Sequence, residues 1–84
     1  MLDNLEEIVK NIKMYKIASS NITALGYDEN NKVLRVIFKN NSSYIYTNVE
    51  PEVWQIIINS KSKGKSLNEN IVRHKEKYKY YKLT

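Results

Sequence analysis

The sequence predicts an α+β domain: an N-terminal helix, a three-stranded antiparallel meander, a packed helix, a short helix and a basic C-terminal strand or tail. Three observations predict it. Leu5, Ile8, Val9 and Ile12 recur at three and four residues, the spacing of one helical face. Between residues 22 and 48 the apolar residues alternate at two, the period of strands. Pro51 then opens a second stretch with helical spacing, Val53, Trp54, Ile57 and Ile58. With 84 residues there is room for a single domain. It is read as an N-terminal helix extension (residues 1–16) followed by a core (residues 17–84).

The first helix is expected over residues 4–16, with Asp3 or Asn4 as its cap and Tyr15 completing the apolar stripe. Glu6 and Glu7 suit the positive end of its dipole, and Lys10, Lys13 and Lys16 the negative end. A polar break at residues 17–21 leads to a short strand over residues 22–27. Asp28-Glu29-Asn30-Asn31 is turn chemistry, because Asp and Asn bond their own backbone and tolerate left-handed dihedrals. The second strand, residues 32–39, alternates Leu34, Val36 and Phe38 with Arg35, Ile37 and Lys39, so half of it is expected to be buried. After a turn at residues 40–42, the third strand (residues 43–48) puts Tyr44 and Tyr46 on one face. Connections this short permit only antiparallel pairing. Pro51 fits the first turn of a helix over residues 50–60, where its missing N–H costs nothing. The run from Lys61 to Lys65 is expected to end that helix, with Gly64 at a positive φ. Ser66 would then cap a short helix carrying Leu67, Ile71 and Val72.

Charge is unevenly distributed along this order. The net charge is +5, but residues 1–60 hold six basic and seven acidic side chains, while residues 61–84 hold eight basic and two acidic. Abundant Asn, Ile and Lys beside only two glycines suggest an AT-rich coding sequence. Coding bias of that kind accounts for part of the lysine count but not for its asymmetry. Hydrophobic residues at 42% support a packed core, so the chain as a whole is not of the disordered class. The absence of cysteine removes disulfides, thiolate metal sites and cysteine nucleophiles together. No apolar run approaches the roughly 18 residues of a membrane helix. An acidic N-terminus is unlike a signal peptide, so a cytoplasmic location is expected.

Catalytic groupings are hard to assemble from these residues. His74 is the lone histidine, with only Glu76 near it in sequence, which reads as a solvated side chain in a basic stretch. Asp28 and Glu29 belong to a turn. Ser19 and Ser20 lack a nucleophile-elbow setting, and Gly64 alone does not make a phosphate-cradling loop. No catalytic residue, metal site or cofactor is expected. What remains is basic and aromatic. Lys61, Lys63 and Lys65 form one group; Arg73, Lys75, Lys77, Tyr78, Lys79, Tyr80, Tyr81 and Lys82 form another. Lysines neutralise phosphates, and interleaved tyrosines offer faces on which unpaired bases stack. The competing explanation for the second group is an edge strand with Tyr78 and Tyr80 facing the core and lysines guarding the open side. Trp54, Tyr44 and Tyr46 suit the core of so small a domain better than a recognition surface.

The order of short motifs resembles the KTSC domain. These are Ser19-Ser20-Asn21-Ile22, Gly26-Tyr27-Asp28, Leu34-Arg35-Val36-Ile37-Phe38, Tyr44-Ile45-Tyr46 and Val49-Glu50-Pro51, followed by Ser62-Lys63-Gly64-Lys65, Leu67-Asn68 and Ile71-Val72-Arg73. The resemblance runs over roughly residues 17–83. Residues 1–16 lie outside it, and Glu50 departs from the residue the pattern usually has before the proline. The family is named for a segment at the C-terminus of some lysyl-tRNA synthetases and also occurs as small free-standing proteins, many in phages and mobile elements. The resemblance implies a compact binding accessory with no catalytic residues, and RNA as its partner.

Composition, motifs and resemblance together lead to one expectation, a non-enzymatic module that binds nucleic acid, RNA rather than DNA, or a ribonucleoprotein. The alternative is a phage or mobile-element protein that inhibits a host defence nuclease such as a CRISPR effector, its acidic first helix occupying a basic channel. A homodimer hiding the first helix's apolar stripe is a further possibility for its assembly.

Overall fold

The computed structural model describes residues 5–83. One antiparallel sheet of five strands runs in sequence order: β1 (Met14–Lys16), β2 (Ile22–Asp28), β3 (Val33–Phe38), β4 (Ser43–Tyr46) and β5 (Tyr80–Lys82). Helix α1 (Leu5–Asn11) precedes the sheet. Between β4 and β5 the chain forms α2 (Pro51–Ile58), α3 (Lys63–Leu67) and a π-helical turn (Asn68–Val72) that continues α3. The α+β class stands as expected, with strands added at both ends of the meander.

The N-terminal end of the sheet corrects the long helix expected over residues 4–16. The helix stops at Asn11, and Met14, Tyr15 and Lys16 pair with Gly26, Leu25 and Ala24 of β2. Ile12 and Tyr15 fit a helical stripe, but residues 14–16 alternate as a strand also does, and a partner decides. That partner works because Gly26 has no side chain. A Cβ there would fall 2.5 Å from Met14 Sδ and 2.6 Å from both Ile12 Cγ2 and the Lys13 carbonyl oxygen, closer than packed atoms allow. The cap expected of Asp3 or Asn4 lies outside the described residues.

The expected meander is β2–β3–β4, and its turns carry the expected chemistry. Asp28 accepts hydrogen bonds from the backbone N–H groups of Asn30 (3.0 Å) and Asn31 (3.4 Å) and from Asn31 Nδ2 (2.8 Å). In the β3–β4 turn Asn41 takes a φ of 71°, a left-handed conformation that Asn tolerates better than most residues.

Both faces of the sheet are covered, where the alternation in β3 suggests one. The larger core lies under α2, α3 and the π-helical turn. Its centre is Leu25, Leu34, Val36, Tyr46 and Val49 against Trp54, Ile57, Leu67 and Ile71. Trp54 also stacks on Tyr27, ring centroids 5.4 Å apart and planes 12° from parallel, so Trp54 is a core residue. On the opposite face Ile12, Val33 and Ile45 form a smaller core, with Leu5, Ile8 and Val9 of α1 packed on it beside Tyr81 and Leu83. The apolar stripe of the first helix therefore rests on its own sheet.

Two expectations about residues 61–66 are also corrected. The lysine-serine run does not end in a glycine turn; α3 begins after Ser62, and no glycine has a positive φ. Gly64 serves a close approach instead, since a Cβ there would lie 2.6 Å from Asn21 Oδ1. Ser66 is buried inside the helix rather than capping it, and its carbonyl and hydroxyl accept from Asn70 Nδ2 at 2.9 and 3.2 Å.

Candidate nucleic-acid interface

At the open end of the larger core, the sheet and the π-helical turn diverge and leave a cleft of about 550 Å³, within the roughly 300–1,000 Å³ of ligand sites. Strand alternation builds its floor. Phe38 of β3, Tyr44 and Tyr46 of β4, and Tyr80 of β5 all point to the same face, because Tyr44 opposes Val36 and Tyr46 opposes Tyr80 in the ladder. Their rings form one aromatic surface. Phe38 meets Tyr44 edge-on at 5.8 Å, and Tyr80 lies 6.0 Å from Tyr44 and 5.9 Å from Tyr46. Tyr78 and Val72 close the far wall. The rim is polar and cationic, with Ser20, Asn21, Lys39, Asn40, Ser42 and Lys75.

Beyond Ser20 and Asn21, which border both, lies a shallower basin of about 560 Å³ formed by the 18–21 loop and residues 61–65 with Asn68. Lys61, Lys63 and Lys65 surround it. Lys63 Nζ donates to the Ser60 carbonyl at 3.0 Å, and the Ser60 hydroxyl donates to the Ser62 carbonyl at 3.1 Å, which shapes this loop. Neither the cleft nor the basin has an aspartate or glutamate in its lining. Acidic side chains gather elsewhere: Glu7, Asp28 and Glu29 line a depression beside α1.

The structure divides the residues singled out from the sequence. Lys75, Tyr78 and Tyr80 line the aromatic cleft, and Lys61, Lys63 and Lys65 the adjoining basin. Lys77, Lys79 and Tyr81 line a different depression with Glu76, Ile8 and Val33. Tyr81 pairs with Ile45 and belongs to the smaller core. Lys82 stands opposite Tyr44 in the ladder, and Arg73 is exposed at the end of the π-helical turn. The edge-strand explanation holds in part: β5 is an edge strand with Tyr80 on the larger-core face, but Tyr80 is 49% exposed, and Tyr78, which is 2% exposed, is buried just before the strand. Phe38, Lys39, Asn40 and Asn21 also belong to the cleft, and sequence reasoning misses them as site residues. The available signal is the shared period of two in β3 and β4, which puts Phe38 and Tyr44 on one face.

Burial first, and the neighbouring Tyr44 and Tyr80 phenols after it, raise the Tyr46 pKa above the ordinary tyrosine value. His74 Nε2 lies 3.0 Å from the Glu69 carbonyl oxygen, an interaction within its own turn. Among the described residues no three His, Asp or Glu side chains gather as a metal site requires. No described helix is long and apolar enough to cross a membrane.

Comparison with known proteins places this arrangement among relatives. An uncharacterised protein of Stutzerimonas stutzeri is 32% identical over 72 residues, covering 86% of this chain and 99% of the relative. A protein of Tsukamurella paurometabola is 34% identical over 55 residues, 66% of this chain and 82% of the relative. The crystal structure of a KTSC domain protein from Yersinia pestis superposes with a TM-score of 0.76 at 25% identity, covering 87% of this chain and 99% of that one. The KTSC domain model itself matches residues 18–78, from the loop that borders both clefts to the buried Tyr78, and the chain belongs to that family.

Proposed function

We propose that the protein is a non-catalytic module that binds single-stranded RNA, alone or within a ribonucleoprotein. One observation carries this reading: an aromatic cleft runs into a three-lysine basin with no carboxylate in the lining of either. Bases need flat, partly open rings, and the half-exposed face of Tyr80 beside Tyr44 supplies one. Phosphates need cations, which Lys39 and Lys75 at the cleft and Lys61, Lys63 and Lys65 at the basin supply. An unpaired strand fits the concave cleft better than a duplex, whose bases are already stacked. The family's place at the end of some lysyl-tRNA synthetases favours RNA over DNA.

Titration of labelled single-stranded RNA and DNA with the protein, at several salt concentrations, tests this. The expected result is micromolar or tighter RNA binding whose log–log salt slope is about −0.7 per phosphate neutralised. Absence of binding at low salt overturns the reading and shifts the search to protein partners.

A further inference from the structure

Resting on the reading of the cleft as a base-binding site, we propose that the recognition unit is one unpaired base joined to bare sugar-phosphate. The cleft stacks a single base, and the basin holds the adjoining phosphates whatever bases they carry. Five rings line the cleft, Phe38, Tyr44, Tyr46, Tyr78 and Tyr80, but they are not five platforms, because stacking needs an uncovered ring. Tyr78 and Tyr46 are buried, at 2% and 7% exposure, and Phe38 and Tyr44 are partly buried. The last two also meet edge-on with their planes 79° apart, so the edge of one ring covers the face of the other.

Tyr80 differs. It is 49% exposed and belongs to β5, at the edge of the sheet, so no further strand covers it. Its neighbours Tyr44 and Tyr46 are tilted from it by 53° and 39°, and a base lying parallel to Tyr80 cannot also lie parallel to either. Tyr15, the other exposed tyrosine among the described residues, stands on β1 at the opposite edge of the sheet and lines neither the cleft nor the basin.

The basin has the complementary composition. Lys61, Lys63 and Lys65 surround it, and no aromatic ring lines it. Lysine neutralises phosphate without regard to sequence, and nothing in the basin offers a base a flat surface. Ser20 and Asn21 belong to both linings, so cleft and basin are continuous and one chain can occupy both. The RNA that suits this surface presents a single unstacked base, at a bulge or an end, on an accessible backbone.

The test measures, at low salt, the binding of three labelled ribose-phosphate chains of equal length: one without bases, one with a single central adenine, and one with two adjacent adenines. The single adenine is expected to tighten binding about 5- to 150-fold over the base-free chain, and the second to add no more than about twofold, for its second register. Tyr80→Ala should bring the one-adenine chain down to the base-free level and leave the base-free chain unchanged. A second increment of roughly fivefold or more, or a first increment that survives in Tyr80→Ala, overturns the one-base unit while leaving a base-binding module in place. If adenine adds nothing, or no chain binds, the reading of the cleft itself falls and the one-base unit with it.

Discussion

Tyr78 and Tyr80 are two residues apart and have opposite fates. Tyr78 is sealed in the larger core with Lys77 Nζ 5.4 Å from its ring centroid, while Tyr80 leaves nearly half its surface to solvent beside Tyr44 and Tyr46. Replacing Tyr80 by Ala should therefore weaken RNA binding by about 1–3 kcal/mol, roughly 5- to 150-fold in Kd, and Tyr80→Phe should retain most of the affinity. Anisotropy titrations at fixed salt would measure both, and unchanged affinity in Tyr80→Ala would remove Tyr80 from the site. Gly26 is a residue of the opposite kind, important through what it lacks. Adding a methyl group there meets the Lys13 carbonyl oxygen as well as the flexible end of Met14, and backbone does not yield as a side chain does. Gly26→Ala should cost about 1–3 kcal/mol of stability, read from urea unfolding midpoints.

At the scale of elements, β5 decides how the basic tail is used. Period-two alternation sends Tyr80 and Lys82 to the face of the larger core and Tyr81 to the face of α1. Lys77 and Lys79, just before the strand, line a depression with Glu76 instead of the aromatic cleft. The lysine clusters should consequently differ in effect. Charge reversal at Lys61, Lys63 and Lys65 should weaken RNA binding strongly and flatten the salt slope by about 0.7 for each phosphate left without its lysine. The pair Lys77→Glu and Lys79→Glu should act only through long-range potential and leave the slope nearly intact. Equal effects from both sets would show that the bound RNA crosses the tail as well as the basin. Helix α1 acts on the other face, where it covers Ile12, Val33 and Ile45. Ile45→Ala should cost about 2–5 kcal/mol without changing RNA affinity, a separation that thermal unfolding and anisotropy would show together.

For the molecule as a whole, charge and burial are sorted in space. Carboxylates gather around the β2–β3 turn and the start of α2, with Glu50, Glu29, Glu52 and Asp28 acting on Tyr27. Burial first, and those carboxylates second, push the Tyr27 pKa from 10.0 up to about 12, while its hydroxyl donates to the Val49 carbonyl. The folded state thus holds a proton that the unfolded chain releases near pH 10. Its stabilising contribution is complete below pH 10 and is lost as pH rises toward about 12. Unfolding midpoints measured across that window should fall with pH, and Tyr27→Phe, less stable at neutral pH for want of the hydrogen bond, should fall less steeply. An identical slope in both proteins would assign the dependence to the other tyrosines and the lysines.

The three central strands, the helix at Pro51 and the turn at Asp28 were legible in the sequence because each rests on local physics: side-chain period, a missing N–H, an Asx side chain bonding its own backbone. The basic and aromatic character of residues 61–82 was equally plain, and so was the family pattern. Tertiary structure alone decided the rest. Residues 12–16 satisfy helical spacing and strand alternation alike, and only the side-chain-free surface of Gly26 on β2 selects the strand. Gly64 reads as a turn residue until the 18–21 loop is laid against it. The cleft draws on Phe38, Tyr44, Lys75 and Tyr80 from distant parts of the chain, and composition cannot report which of the basic and aromatic residues meet. Local interactions are written along the chain, whereas a binding surface is made by strand register, and register is set by long-range packing.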